Sequence, residues 1–271
     1  MRSKRWHAAC TGPRVHFSRN LFRQTASFVP GCPRIRRRAH ELGSFQLVAE
    51  SRPAASPVGG DFYAFDSRDA NRLTLVIGDA CGRGKEGAEL LPGVLRILEQ
   101  LSPVTTRPSR LLEELNRRVV GEMPSDRFVT SAAFEFDAKA GTLTVANAGH
   151  VPAILRDARG RVHVIGRASG PPLGVFPQCR YSDQRYRIGK NDVLVFMTDG
   201  IVEAVETDLA TMPRLTSFVA HAPAGHQGVH RSLLENVDRF APEWFEDDMT
   251  LVSLEVVGPS ATVRASAVGC G

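Results

Sequence analysis

No acidic residue occurs among the first 40 positions, no two cysteines have the CxxC spacing, and no apolar run approaches the ~18 residues needed to cross a bilayer. Each absence excludes something. Without acids, nine arginines (Arg2, Arg5, Arg14, Arg19, Arg23, Arg34, Arg36, Arg37 and Arg38) and Lys4 stand unopposed, so residues 1–40 carry +10. The whole chain of 271 residues carries only +5, which leaves −5 on residues 41–271. The body is therefore mildly acidic and the basicity is confined to one end. Such a segment can touch nucleic acid or an anionic membrane, and Arg-rich, acid-free stretches also resemble organelle transit peptides. Pro13, Pro30 and Pro33 interrupt any amphipathic helix there. We read residues 1–43 as a basic, disordered extension, and a nucleic-acid role would rest on it alone.

No apolar stretch of ~7–15 residues follows the basic start, so a secretory signal is not expected, nor is a membrane partner. The five cysteines (Cys10, Cys32, Cys81, Cys179 and Cys270) have no zinc spacing and read as free thiols in a reducing cytoplasm. There is no internal repeat and no nucleotide-binding motif.

From residue 44 onward the pattern is that of a folded domain. Residues 45–50 read as a strand, and 61–66 with 72–77 as a hairpin joined across 67–71. Helical spacing appears over 86–101, with Pro92 inside it and a kink or late start expected there, and again over 109–120. Period-two segments then follow: 128–136 with 142–147, 153–156 with 161–165, and 181–188 with 193–198. Residues 211–221 and 228–240 read as helices, and 249–257 as the last strand. About ten strands with helices in two groups argue for an α+β fold of two packed antiparallel sheets covered by helices. One domain over 44–257 and a loose tail over 258–271 are expected.

Four acidic pieces stand at strand ends. Asp61 lies in Val58-Gly-Gly-Asp-Phe-Tyr63, Asp79 in Gly78-Asp-Ala-Cys-Gly-Arg-Gly84, Asp199 in Met197-Thr-Asp-Gly200, and Asp247 with Asp248 before the last strand. Taken singly, Asp-Gly pairs are ordinary turns and paired acids are ordinary solvated charge. Their recurrence at four strand ends suggests one site. Carboxylates within ~5 Å of each other repel by ~3 kcal/mol per pair at an effective dielectric near 20, so a shared site calls for a cation. Oxygen-only donors suit Mg²⁺ or Mn²⁺. Two such ions ~4 Å apart can clamp a phosphoryl group for in-line attack.

These motifs, with Asn147-Ala-Gly-His-Val-Pro152, Gly170-Pro-Pro-Leu-Gly174 and Thr198-Asp-Gly-Ile-Val-Glu-Ala204, resemble in content and order the PPM-type metal-dependent serine/threonine protein phosphatases, specifically their bacterial SpoIIE-like branch. The resemblance spans nearly all of 44–257. It implies a four-layer αββα sandwich with two Mn²⁺ or Mg²⁺ ions at one edge. It implies that Asp79 bridges the ions with the Ala80 carbonyl beside it, that Asp61 holds the first ion, and that Asp199 and Asp247 hold the second. Asp248 is then the weaker candidate of the acidic pair. Gly60, Arg83, His150 and Asp248 are candidates for contacts around the ligands or with phosphate; for His150 a turn-holding role is favoured over that of a general acid. Cys81 stands where the wider family often has a histidine and reads as a packing residue. Ala64 replaces a common acid.

The function implied is hydrolysis of phosphoserine or phosphothreonine on a regulatory protein, such as an anti-sigma-factor antagonist, by a metal-bound hydroxide. An upstream sensor domain is not expected, and control is expected from a partner in trans at helices 86–101 and 109–120. The rival reading is a weak or inactive phosphatase-like module that binds a phosphoprotein. A small-molecule phosphohydrolase also stays open.

Overall fold

Alternation along two strands organises the molecule. In the computed structural model, which describes residues 6–10, 36–52, 54, 59–82, 85–101, 107–124, 126–206, 211–240 and 247–258, the elements run as follows. Strands β1 (Trp6–Cys10), β2 (Arg36–Leu42), β3 (Phe45–Arg52), β4 (Asp61–Asp69) and β5 (Arg72–Ala80) precede helices α1 (Lys85–Leu101) and α2 (Pro108–Glu122). Next come β6 (Val129–Asp137), β7 (Thr142–Ala148), β8 (Ala153–Arg156), β9 (Val162–Ile165), β10 (Gln184–Arg187) and β11 (Val193–Met197). Helices α3 (Asp199–Val205), α4 (Pro213–His221) and α5 (Gly225–Phe240) lead to β12 (Met249–Val256).

The strands form two six-stranded antiparallel sheets, in the orders β1-β4-β5-β6-β7-β10 and β2-β3-β12-β11-β8-β9. Successive side chains of a strand face opposite ways, and here each way meets a different core. Phe62, Ala64 and Val76 join Leu91, Leu95, Leu98, Leu112 and Leu115 of α1 and α2. Tyr63, Phe65, Leu73, Leu75 and Ile77 point instead at Phe45, Leu47, Leu194, Phe196, Val252 and Leu254 of the second sheet. That sheet's outer residues Val193, Val195 and Leu251 pack against Ile201, Leu215, Val229 and Leu233 of α3–α5. The result is the four-layer αββα sandwich. Between the sheets Phe134 meets Phe196 edge-on at 4.6 Å, and each buried leucine or phenylalanine contributes ~2–3 kcal/mol.

Several expectations change. Strand 181–188 was expected to pair with 193–198. Instead β10 pairs with β7 and β11 with β12 and β8, so the chain crosses from one sheet to the other between them. The expected extension 1–43 contributes two strands, β1 beside β4 and β2 beside β3; a hairpin at Gly43, with φ of 65°, makes the second pairing. The first hairpin turns at Ala70 and Asn71 after a register shift between Ser67 and Asp69, giving longer strands than expected. Helix α1 runs through Pro92. Residues 259–271 lie outside the described residues.

Candidate metal centre

Register places the first two carboxylates. Asp61 and Asp79 are direct cross-strand partners in β4 and β5, and share parity with Tyr63 and Ile77, so both face the gap between the sheets. On the opposite sheet, inward-facing Leu194 and Phe196 are followed at the same parity by Thr198, and Asp199 opens α3. Asp247 and Asp248 lead into β12 at the same end. Carboxylate oxygens of Asp61, Asp79 and Asp199 lie within 4.8 Å of one another. Asp247 adjoins this trio, adding repulsion to both Asp79 and Asp199.

The surrounding bonds hold the trio from both sheets. The Thr198 hydroxyl donates to Asp61 Oδ2 at 2.7 Å and accepts the Thr250 N–H at 2.9 Å. Asp61 Oδ1 is buried with no hydrogen-bond partner. Asp248 turns elsewhere: its two oxygens accept the N–H groups of Ala54 (3.0 Å) and Gly60 (2.8 Å), tying the loop that delivers Asp61 to the second sheet. The Gly60 carbonyl in turn accepts the Ala80 N–H at 3.1 Å. Glycine at 60 is a packing requirement. A Cβ there would stand 2.5 Å from the Ala80 carbonyl oxygen and 2.7 Å from Asp79 Oδ1.

Electrostatics mark the same spot. Burial, then Asp199, Asp247 and Asp248, push the Asp79 carboxyl up to about 8. Asp61 is raised well above the usual carboxylate range by burial and by Asp79 and Asp248, against the Thr198 hydrogen bond. Burial and Asp247 raise Asp199; burial raises Asp248 despite its two N–H donors. Like charges opposed across strands are unfavourable. A hard divalent cation relieves this repulsion, satisfies the orphaned Asp61 oxygen and matches an all-oxygen donor set, so these residues fit a metal.

The other expected residues divide. His150 is buried, and Asn147 holds its turn by accepting the His150 N–H at 2.7 Å and donating to the His150 carbonyl at 2.9 Å. Its Nδ1 lies 2.9 Å from Thr130 Oγ1, beside Asp79 on β6. Burial pushes its imidazole down to about 4, against the Met197 carbonyl, so the neutral form prevails at pH 7. The Phe128 N–H donates to Cys81 Sγ at 3.1 Å, tying the thiol to the β6 entry. Ala64 faces the α1–α2 core, away from the carboxylates. Arg83 lies outside the described residues. Thr198 and Thr250 went unnoticed in the sequence; hydroxyls next to Asp199 and two residues past Asp248 were the available signal.

Comparison with known proteins points the same way. The family model for Stage II sporulation protein E (SpoIIE) matches residues 69–257. The phosphoserine phosphatase RsbU of Bacillus subtilis (strain 168) is 24% identical over 202 residues, 74% of this chain and 60% of RsbU. The chain thus spans less than two thirds of that relative. Among solved structures, the PP2C phosphatase domain of SpoIIE from Bacillus subtilis, with a fragment of its regulatory domain, matches with a TM-score of 0.67 at 18% identity, covering 82% of this chain and 71% of that one. RsbX in complex with magnesium matches with a TM-score of 0.62 at 17% identity, over 82% and 100% respectively. These two structures share the fold.

Proposed function

The chain belongs to the SpoIIE family, and from that premise we propose that it is a metal-dependent protein phosphatase acting on phosphoserine or phosphothreonine of a regulatory protein in the cytoplasm. The observation that carries this reading is the convergence of Asp61, Asp79 and Asp199 oxygens within 4.8 Å, one of them buried and unpartnered. Asp61 and Asp79, the Ala80 carbonyl, Asp199 and Asp247 would hold two Mg²⁺ or Mn²⁺ ions. Bound there, divalent cations polarise a phosphoryl group and lower the pKa of water.

The chain's own residues do the positioning. Asp61 is aimed by Thr198 and by the Asp248-anchored loop, so its carboxylate is held at the cluster without a rotamer search. Asp79 and Asp61 are both pushed up by burial and by acidic neighbours, which makes metal binding a condition for full ionisation of the site. Neutral His150 stiffens the turn behind Thr130 and takes no part in proton transfer. Cys81, bonded to the Phe128 backbone, is no nucleophile in this scheme. A regulatory partner would act in trans on α1 and α2, whose inner faces back the strands that carry Asp61 and Asp79.

Hydrolysis of p-nitrophenyl phosphate tests the reading. Turnover should require Mn²⁺ or Mg²⁺, stop with EDTA, and fall by at least ~100-fold in Asp79→Asn, in line with losing a preorganised electrostatic group. Metal binding without turnover on this ester or on phosphopeptides would make the protein a phosphoprotein-binding module.

A further inference from the structure

Residues 173–183 run antiparallel to α2, and together they make a track that ends beside Ala80, the neighbour of Asp79. At one end Asp183 accepts the Ser109 N–H at 2.8 Å and Arg107 Nε at 3.1 Å. Midway the Asn116 amide donates to the Phe176 carbonyl at 3.0 Å and accepts the Gly174 N–H at 2.9 Å. At the far end Leu173 bridges to Val129, the residue opposite Ala80. The groove between α2 and residues 177–180 encloses about 870 Å³. Arg110, Arg117, Arg118 and Arg180 line it against only Glu113 and Glu114, and Glu114 is shared by Arg117 and Arg118. This surplus of positive charge sits on a body that is otherwise net acidic.

Toward Leu173, which bridges to Val129 beside the strand end that carries Asp79, the chemistry of the track changes. Phe128, Val175 and Phe176 are 39%, 44% and 55% exposed, three of the four large apolar side chains left open among the described residues. Scattered exposed apolar residues are ordinary, but a cluster at the rim of a site marks a binding surface. Phe128 precedes the strand position opposite Ala80, and its backbone is bonded to Cys81 through both N–H and carbonyl. The Asn116 bonds fix the Val175–Phe176 backbone in place, so little ordering remains to be lost on binding.

We propose that this track docks the phosphoserine-bearing segment of the protein substrate. An apolar side chain next to the phosphoserine rests on Phe128, Val175 and Phe176, and acidic residues farther along meet the arginines of α2 and Arg180. The inference rests on the phosphatase reading above, and it adds the substrate's chemistry: an acidic segment with an apolar neighbour to the phosphorylated residue.

Two phosphoserine peptides of equal length test it, one with leucine flanking the phosphoserine and glutamates beyond, the other with glycine and serine at those positions; p-nitrophenyl phosphate serves as the small ester. The wild type should show kcat/KM at least ~10-fold higher on the first peptide, the effect of burying one apolar side chain, and should express it in KM. Raising the ionic strength should shrink the preference, because exposed charge pairs are screened. Phe176→Ser and Arg180→Glu should each remove most of it and leave p-nitrophenyl phosphate turnover intact, since neither residue belongs to the carboxylate cluster. Equal kcat/KM on both peptides with the wild type overturns the track. So does a loss on the small ester that matches the loss on the peptide, which would mark a merely structural effect. No divalent-dependent turnover of the small ester by the wild type would remove the phosphatase reading and the track with it.

Discussion

Replacing Asp79 by asparagine should make the metal-free protein more stable at neutral pH while abolishing its activity. Asp79 faces Asp61 across the strand pair and is pushed up to about 8 by burial and by its acidic neighbours. In the unfolded chain the same carboxyl titrates at its ordinary 3.8. Between these values the folded state holds a proton that the unfolded state has released, so stability falls as pH rises through that window, at most ~1.4 kcal/mol per pH unit. From pH 5 to pH 7 the loss from Asp79 alone is therefore about 3 kcal/mol as an upper figure. Two buried imidazoles work in the opposite direction. His150 and His230, pushed down to about 4 and about 3 chiefly by burial, cost stability as pH falls below ~6.5. The comparison that isolates Asp79 is thus the difference between wild type and Asp79→Asn, measured by urea unfolding in EDTA at pH 5 and at pH 7. The variant should gain on the wild type by ~1–3 kcal/mol more at pH 7 than at pH 5. Adding Mn²⁺ should then stabilise the wild type and not the variant. A difference that does not change with pH would refute the crowding argument, because it would mean that Asp79 ionises in the fold as easily as in water.

Three further substitutions probe separate parts of the account. Gly60→Ala places a Cβ 2.5 Å from the Ala80 carbonyl oxygen and should cut metal-dependent turnover at least ~10-fold, a loss read from kcat at saturating Mn²⁺. Asp248→Ala strands the N–H groups of Ala54 and Gly60 and should cost ~2–4 kcal/mol in urea unfolding, with weaker Mn²⁺ binding because Asp61 loses its anchor. Arg156→Met removes donors to the Val219, Ala222 and Pro223 carbonyls at the end of α4; it should cost about 3 kcal/mol by the same assay and leave p-nitrophenyl phosphate turnover unchanged.

Much of this architecture is visible in the residues themselves. The 61–66 and 72–77 pair, both α1 and α2, and the 128–148 pair follow from period and turn chemistry, and glycine-flanked aspartates at strand ends announce the site. Other features depend on distant partners. Nothing local tells Gln184–Arg187 to join β7 in one sheet while Val193–Met197 joins β12 in the other, since both are antiparallel neighbours in sequence. Asp199-Gly200 reads as a turn, yet α3 starts there because Ile201, Val202 and Val205 find the apolar face of α4 and α5. The strands at 6–10 and 36–42 were hidden by their setting in an Arg-rich, acid-free segment, which reads as solvated chain; backbone pairing with β4 and β3 overrides that composition. Asp247 and Asp248 are alike in sequence, and only the structure shows that Asp248 anchors the loop through Ala54 and Gly60 while Asp247 accepts just its neighbour's N–H.

Whether acids from both sheets meet around cations can be seen by anomalous diffraction at the manganese edge from crystals grown with Mn²⁺. Peaks are expected bounded by Asp61, Asp79 and Asp199, with Asp247 alongside, and none in crystals of Asp79→Asn. Manganese peaks elsewhere, or an empty cluster at millimolar Mn²⁺, would contradict a shared metal site.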